Sequence, residues 1–139
     1  LWVVTAAAHR DEAARQLPEV PAGQIVGEPV GRDTAACVAL GAALIARQDP
    51  DATVVVTPAD HLIEPARLFQ NTLLAAEQFL REHPAALLTF GIPPTFPSTG
   101  YGYVRRGEPL GRRQGVEGFR VRSFEEKPPA DRAERFLQS

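Results

Sequence analysis

Residues 52–57, Ala-Thr-Val-Val-Val-Thr, constrain this chain more than any other stretch. β-Branched side chains favour extended backbone. Because no polar residue alternates with the valines, the run predicts a strand covered on both faces, as in the interior of a parallel sheet. Such a strand needs neighbouring strands and helices above and below, and the sequence offers candidates for each. Residues 2–5 read as a short apolar strand, residues 9–17 as a helix and residues 24–27 as a second short strand. Residues 33–48 form a helix rich in Ala, Leu, Val and Ile, whose small side chains suit close packing on a sheet. Pro65 stands where a first helical turn tolerates it, and the helix beyond it carries Phe69, Leu73, Ala76 and Leu80 on one stripe. Residues 85–91 are a further buried strand. This alternation predicts an α/β fold with a mostly parallel sheet and helices on both faces.

After Gly91 the character changes. Pro93, Pro94 and Pro97 punctuate a loop, residues 101–105 and 118–124 alternate like partly exposed strands, and residues 129–137 form a last helix with Arg132, Glu134 and Arg135 on its wet side. No linker, repeat or low-complexity tract interrupts the 139 residues.

Composition removes several classes of function. Fifteen Lys and Arg against 17 Asp and Glu give a net charge of −2 with no basic block, which argues against a nucleic-acid partner. No apolar run approaches the roughly 18 residues of a membrane span, so no membrane partner is expected. The single cysteine, Cys37, cannot close an internal disulfide and fits a cytoplasmic setting. On the apolar helix it reads as a small core residue rather than a nucleophile. The chain has no methionine and opens on Leu1-Trp2-Val3-Val4-Thr5, a strand already under way, which predicts a piece of a longer domain.

In open parallel sheets ligands bind beyond the carboxyl ends of the strands, and polar or glycine-containing segments fall at four such places. The first is Glu28-Pro29-Val30-Gly31-Arg32-Asp33-Thr34-Ala35-Ala36, which joins a strand to a helix whose free N–H groups favour an electron-rich ligand. Arg32 adds a charge-assisted donor, and Glu28 or Asp33 can accept hydrogen bonds from a base such as guanine. The plainer reading makes Asp33 an N-cap and Gly31 a turn residue. The second is Thr57-Pro58-Ala59-Asp60-His61. A carboxylate at the tip of a buried strand suits magnesium, which takes one or two carboxylates plus phosphate oxygens; a strand-end Asp is as commonly a turn former. His61 is not assigned as a ligand.

The third segment, Gly91-Ile92-Pro93-Pro94-Thr95 with Thr99-Gly100-Tyr101-Gly102-Tyr103, lets backbone approach a hydroxyl-rich ligand closely, or is simply a proline-stiffened loop with a glycine turn. The fourth, Phe124-Glu125-Glu126-Lys127-Pro128, sets an acid beside a base. Lys is a point-charge partner for phosphate, although Glu-Glu-Lys before Pro also suits a solvated strand end.

Taken in order, Glu-Pro-Val-Gly-Arg-Asp-Thr-Ala-Ala, Pro-Ala-Asp-His, Gly-Ile-Pro-Pro-Thr with Thr-Gly-Tyr-Gly-Tyr, and Phe-Glu-Glu-Lys-Pro resemble the mannose-1-phosphate guanylyltransferases among the nucleoside-diphospho-sugar pyrophosphorylases. The resemblance spans nearly the whole chain and implies the central part of a single nucleotidyltransferase domain (residues 1–139), Rossmann-like, with the nucleotide-diphospho-sugar transferase fold. It implies an enzyme that forms GDP-mannose and pyrophosphate from GTP and mannose 1-phosphate with Mg²⁺. Under it, the loop of Glu28, Pro29, Gly31, Arg32, Asp33 and Thr34 meets guanine and ribose, and Asp60 is the metal ligand. Gly102 meets the mannose through its backbone, Glu126 holds sugar hydroxyls, and Lys127 binds the sugar phosphate; Asp60 and Lys127 are the catalytic pair. The family often has Asn where this chain has Asp33. Its glycine-rich triphosphate loop and second metal-binding aspartate have no counterpart here, so this piece by itself is expected to be inactive. The rival expectations are a pyrophosphorylase for another nucleotide and hexose phosphate, a non-catalytic nucleotide-sugar-binding or scaffold domain, and a plain flavodoxin-like domain. Oligomeric state is left open, a homodimer included.

Overall fold

The computed structural model describes residues 1–138. The chain is α/β and divides into two compact units, Leu1–His61 and Leu62–Ser139. Among the described residues no helix is long and apolar enough to cross a membrane.

In the first unit, strand β1 (Val3–Ala6) pairs in parallel with β2 (Ile25–Glu28), Val3 opposite Ile25 and Ala6 opposite Glu28. Parallel neighbours need a crossover. Here a short 3₁₀ turn and helix α1 (Arg10–Gln16) supply it. Arg10 ties the crossover back to the second strand, its Nε donating to the Ile25 carbonyl at 3.1 Å. Gly27 is required where it stands, because a Cβ there would lie 2.9 Å from Ala7 Cα. Val20 and Ile25 are the buried apolar residues of this unit. Helix α2 (Asp33–Ala46) follows, and at Gly41 a Cβ would lie 3.6 Å from Val4 Cγ2, so the small-residue helix approaches β1 closely.

In the second unit, helix α3 (Ala66–Glu82) starts behind Pro65, which is its N-cap rather than a residue of its first turn. Its buried line runs Ala75, Ala76 and Phe79, with Phe69, Leu73 and Leu80 half-buried at the margins. Strands β3 (Gly102–Arg113) and β4 (Val116–Glu126) form an antiparallel hairpin, closed by Gln114 and Gly115, both at positive φ (48° and 81°). That conformation matches the right-handed twist of the strands. Phe79 seats on the hairpin at Gly118, where a Cβ would come within 2.5 Å of the Phe79 ring. The Arg113 guanidinium covers the same ring at 5.2 Å and grips Glu82 with two hydrogen bonds of 2.8 and 2.6 Å. Burying Phe79 contributes roughly 2–3 kcal/mol. Helix α4 (Ala130–Leu137) packs back through Ala133, the Tyr103–Phe136 ring contact at 5.2 Å and the 2.6 Å Arg132–Glu125 ion pair.

The parallel pair and its helices agree with the expected class, and the hairpin strands, at 12 and 11 residues, run well past the predicted 101–105 and 118–124. The two interior strands do not form: residues 52–57 and 85–91 lie outside helix and strand. Val54, Val55 and Val56 are 38%, 50% and 54% exposed. A strand exists only through its ladder. Neither run finds a strand partner among the described residues, and β propensity alone does not make a strand.

Candidate functional site

The loop after β2 lies where sheet physics puts a ligand site. Glu28 is the last residue of β2, half-buried and paired with Ala6, while Pro29, Gly31, Arg32, Asp33 and Thr34 are exposed. Helix α2 begins there, and its first N–H groups have no partner within the helix. One expectation is corrected. Asp33 is not the N-cap; Arg32 takes that position, and no side chain caps the helix. Asp33 instead has φ of 57°, a left-handed conformation that Asp tolerates better than most residues. The chain turns into the helix at this residue, so the carboxylate is unavailable for the cap. An open recess of about 270 Å³ lined by Trp2, Leu44, Arg47 and Gln48 lies at the opposite end of this unit, where β1 starts and α2 finishes.

Asp60 occupies an exposed turn after residues 52–57, not the tip of a formed strand. Among the described residues no group of three or more His, Cys, Asp or Glu could by itself hold a metal. A single carboxylate can hold a divalent cation only when other ligands, such as phosphate oxygens and water, complete its shell. His61 is exposed beside Asp60.

The second unit brings together three of the expected residues. Gly102 and Glu126 are direct partners across the β3–β4 ladder, and Lys127 follows at the strand end. The Lys127 N–H donates to the Tyr101 carbonyl at 3.1 Å, and Lys127 holds φ of 47°, which turns the chain out of β4 into buried Pro128. The Lys127 ammonium stands 3.9 Å from the Glu126 carboxylate, and both side chains are mostly exposed. The pair thus presents an acceptor and a cation side by side without neutralising each other through a hydrogen bond. At Gly102 a Cβ would meet the Phe124 ring at 2.5 Å and Glu126 Oε2 at 2.7 Å, so only glycine leaves this surface clear.

Sequence reasoning missed the frame around Gly102. The Tyr103 hydroxyl accepts from the Ser98 N–H at 2.9 Å and donates to the Ser98 carbonyl at 3.0 Å, and the Gly100 N–H donates to Ser98 Oγ at 3.1 Å, which pins the glycine-containing loop. The signal available was the alternation of Tyr101 and Tyr103 around Gly102. The Arg113–Glu82 pair was also missed. The guanidinium that donates to it holds the Glu82 carboxyl below its ordinary value, and the same hydrogen bonds, donated to Glu82, raise Arg113. No local pattern links residues 31 positions apart.

The nucleotidyl transferase family profile matches residues 1–139, and the chain belongs to that family. Within it the similar proteins are mannose-1-phosphate guanylyltransferases. The chain is 41% identical over 135 residues to one from Salmonella montevideo, 40% over 133 residues to one from Klebsiella pneumoniae and 37% over 135 residues to one from Escherichia coli strain K12. Each comparison covers 94% of this chain and 28% of the relative, so the chain spans little more than a quarter of their length.

Proposed function

We propose that the chain is the central part of a single nucleotidyltransferase domain, and that the protein carrying it forms GDP-mannose and pyrophosphate from GTP and mannose 1-phosphate in the cytoplasm. The observation that carries this reading is the cross-strand pairing of Gly102 with Glu126, with the Lys127 ammonium 3.9 Å from the Glu126 carboxylate and largely exposed. The likeness to guanylyltransferases at about 40% identity supports the choice of nucleotide and sugar.

In the proposed reaction a phosphate oxygen of mannose 1-phosphate attacks the α-phosphorus of GTP. The new P–O bond forms as the α–β bridging bond breaks, and pyrophosphate leaves with the electron pair. The nucleophile arrives ionised, so no side chain has to remove a proton. Lys127 holds the sugar phosphate and offsets its charge. The Glu126 carboxylate accepts hydrogen bonds from the hexose hydroxyls, and the bare backbone at Gly102 lets the sugar approach. The loop of Glu28, Pro29, Gly31, Arg32, Asp33 and Thr34 holds guanine and ribose, its acceptors meeting the base N–H groups. Asp60 would hold Mg²⁺ together with the phosphates, and the cation would neutralise charge developing on them. What the protein contributes is chiefly alignment.

The test is a nucleotide panel on the whole protein carrying this chain, with GTP, UTP, dTTP and ATP each paired with mannose 1-phosphate. GTP should be preferred. Lys127→Ala and Asp60→Ala should each lower turnover by about a hundredfold or more while circular dichroism stays unchanged. Preference for another nucleotide would reassign the base loop, unchanged turnover in Asp60→Ala would remove that residue from the mechanism, and inactivity with all four would leave a binding domain.

A further inference from the structure

The β3–β4 hairpin carries a second cationic feature, distinct from Lys127. Two irregularities face each other in its ladder. Between the pairs Arg105–Ser123 and Arg106–Val121, β4 gains the extra residue Arg122. Between Arg106–Val121 and Pro109–Phe119, β3 gains an extra residue at Gly107 and Glu108. Bulges increase local twist and re-aim side chains. Here they open a recess of about 570 Å³ lined by Arg106, Gly107, Glu108, Arg120, Val121 and Arg122. Gly107 lines it without a side chain, and a Cβ there would sit 3.1 Å from the Arg120 carbonyl and 3.5 Å from Arg122 Cβ.

The arginines of this hairpin fall into two groups. Arg112 is paired with Glu117 at 2.7 Å and Arg113 with Glu82 at 2.6 Å. Among the described residues Arg105, Arg106, Arg120 and Arg122 have no acidic partner; the last three line the recess together with Glu108, and Arg105 does not. Arg106 is held by its face instead, with its guanidinium 4.9 Å above the Phe119 ring. Stacking occupies the π face and leaves the in-plane N–H fork free to donate. Three arginines against one glutamate among the lining residues give a formal surplus of two positive charges, which matches a phosphate-type dianion, and planar guanidinium forks suit its tetrahedral oxygens.

We propose that this recess binds the phosphate group of a small metabolite, as a site separate from the Gly102–Glu126–Lys127 cluster. The inference does not rest on guanylyl transfer and stands whichever nucleotide the protein uses. The test is a backbone amide chemical-shift titration of the whole protein carrying this chain, without divalent metal and with inorganic pyrophosphate as probe, which reports each site by position. Shifts should centre on Gly107 and Val121 and saturate. Arg120→Gln and Arg122→Gln should each weaken binding about tenfold, Arg120→Lys should retain part of the affinity, and Arg105→Gln should stay within about twofold. Parallel titrations with GTP and mannose 1-phosphate identify the source of the phosphate by which shifts the recess at lowest concentration. Equal shifts from sodium chloride at matched ionic strength would overturn the site, and so would equal weakening by Arg105→Gln or shifts confined to residues 126–128.

Discussion

The two units of this chain solve the same problem with different success. The hairpin unit takes its ladder from one continuous stretch. Twelve and eleven residues on either side of a two-residue turn satisfy each other's backbone groups, and Phe79, Arg113, Glu82 and Phe136 then fasten helices to them. The first unit relies on parallel pairing, which must recruit strands distant in sequence. It forms one four-residue pair, buries Val20 and Ile25, and leaves Val54 to Val56 open. Local pairing needs only a helix from its own unit to cover it, whereas parallel pairing needs strands distant in sequence, although the valine run has the stronger β propensity of the two.

The sharpest way to break this contrast is at Phe79, which is 5% exposed. Phe79→Ala should cost about 3 kcal/mol and remove hydrogen-exchange protection from the β3 and β4 amides. If those amides kept their protection, the hairpin would not depend on α3 and the comparison would have to be redrawn. Next in size is Gly102→Val, whose side chain would collide with Phe124 and Glu126. A loss of about 2 kcal/mol is expected. Adding Phe124→Ala should recover part of the stability without restoring the clear surface at residue 102. Full recovery of sugar binding in that double variant would show that the glycine backbone is not what the hexose meets.

How much of this was legible in the sequence follows the same division. Helices α2 and α3 were readable because their apolar spacing is local, and the ends of α2 fall within two residues of expectation. The clustering of Gly102, Glu126 and Lys127 could be proposed from motif order, yet the ladder pairing that brings Gly102 beside Glu126 depends on three register shifts and a Gln-Gly turn that lacks the usual Asn or Asp. Residues 52–57 misled for the opposite reason. Their composition describes what a strand is made of and says nothing about whether a partner is present. Asp33 failed as a cap through its backbone conformation, which residue type only biases.

A smaller effect separates charge from packing within the hairpin unit. The Glu82 carboxyl lies below its ordinary value of 4.5 because Arg113 donates to its ionised form. A depressed folded-state value means that the pair's contribution is fully present above the ordinary carboxylate value and fades as pH falls through the folded one. Stability of the chain relative to Glu82→Gln should therefore be greatest near pH 7 and should converge with it below the carboxylate range. A difference that persisted unchanged at the lowest pH would assign Glu82 a packing role rather than an electrostatic one.

The smallest expected effect tests the first unit and the domain proposal together. Val55 is half exposed, so Val55→Thr in the 139-residue chain should change stability by no more than about 0.5 kcal/mol. If the chain is the central part of one nucleotidyltransferase domain, the remaining sequence supplies the strands that residues 52–57 lack, and Val55 becomes a two-sided core position in the whole protein. The same substitution should then cost about 1–2 kcal/mol there, because a buried hydroxyl replaces a methyl group. Urea unfolding of both forms reads the difference directly. An equally small change in the whole protein would mean that the valine run stays uncovered, and the sheet inferred from it would have no place in the fold.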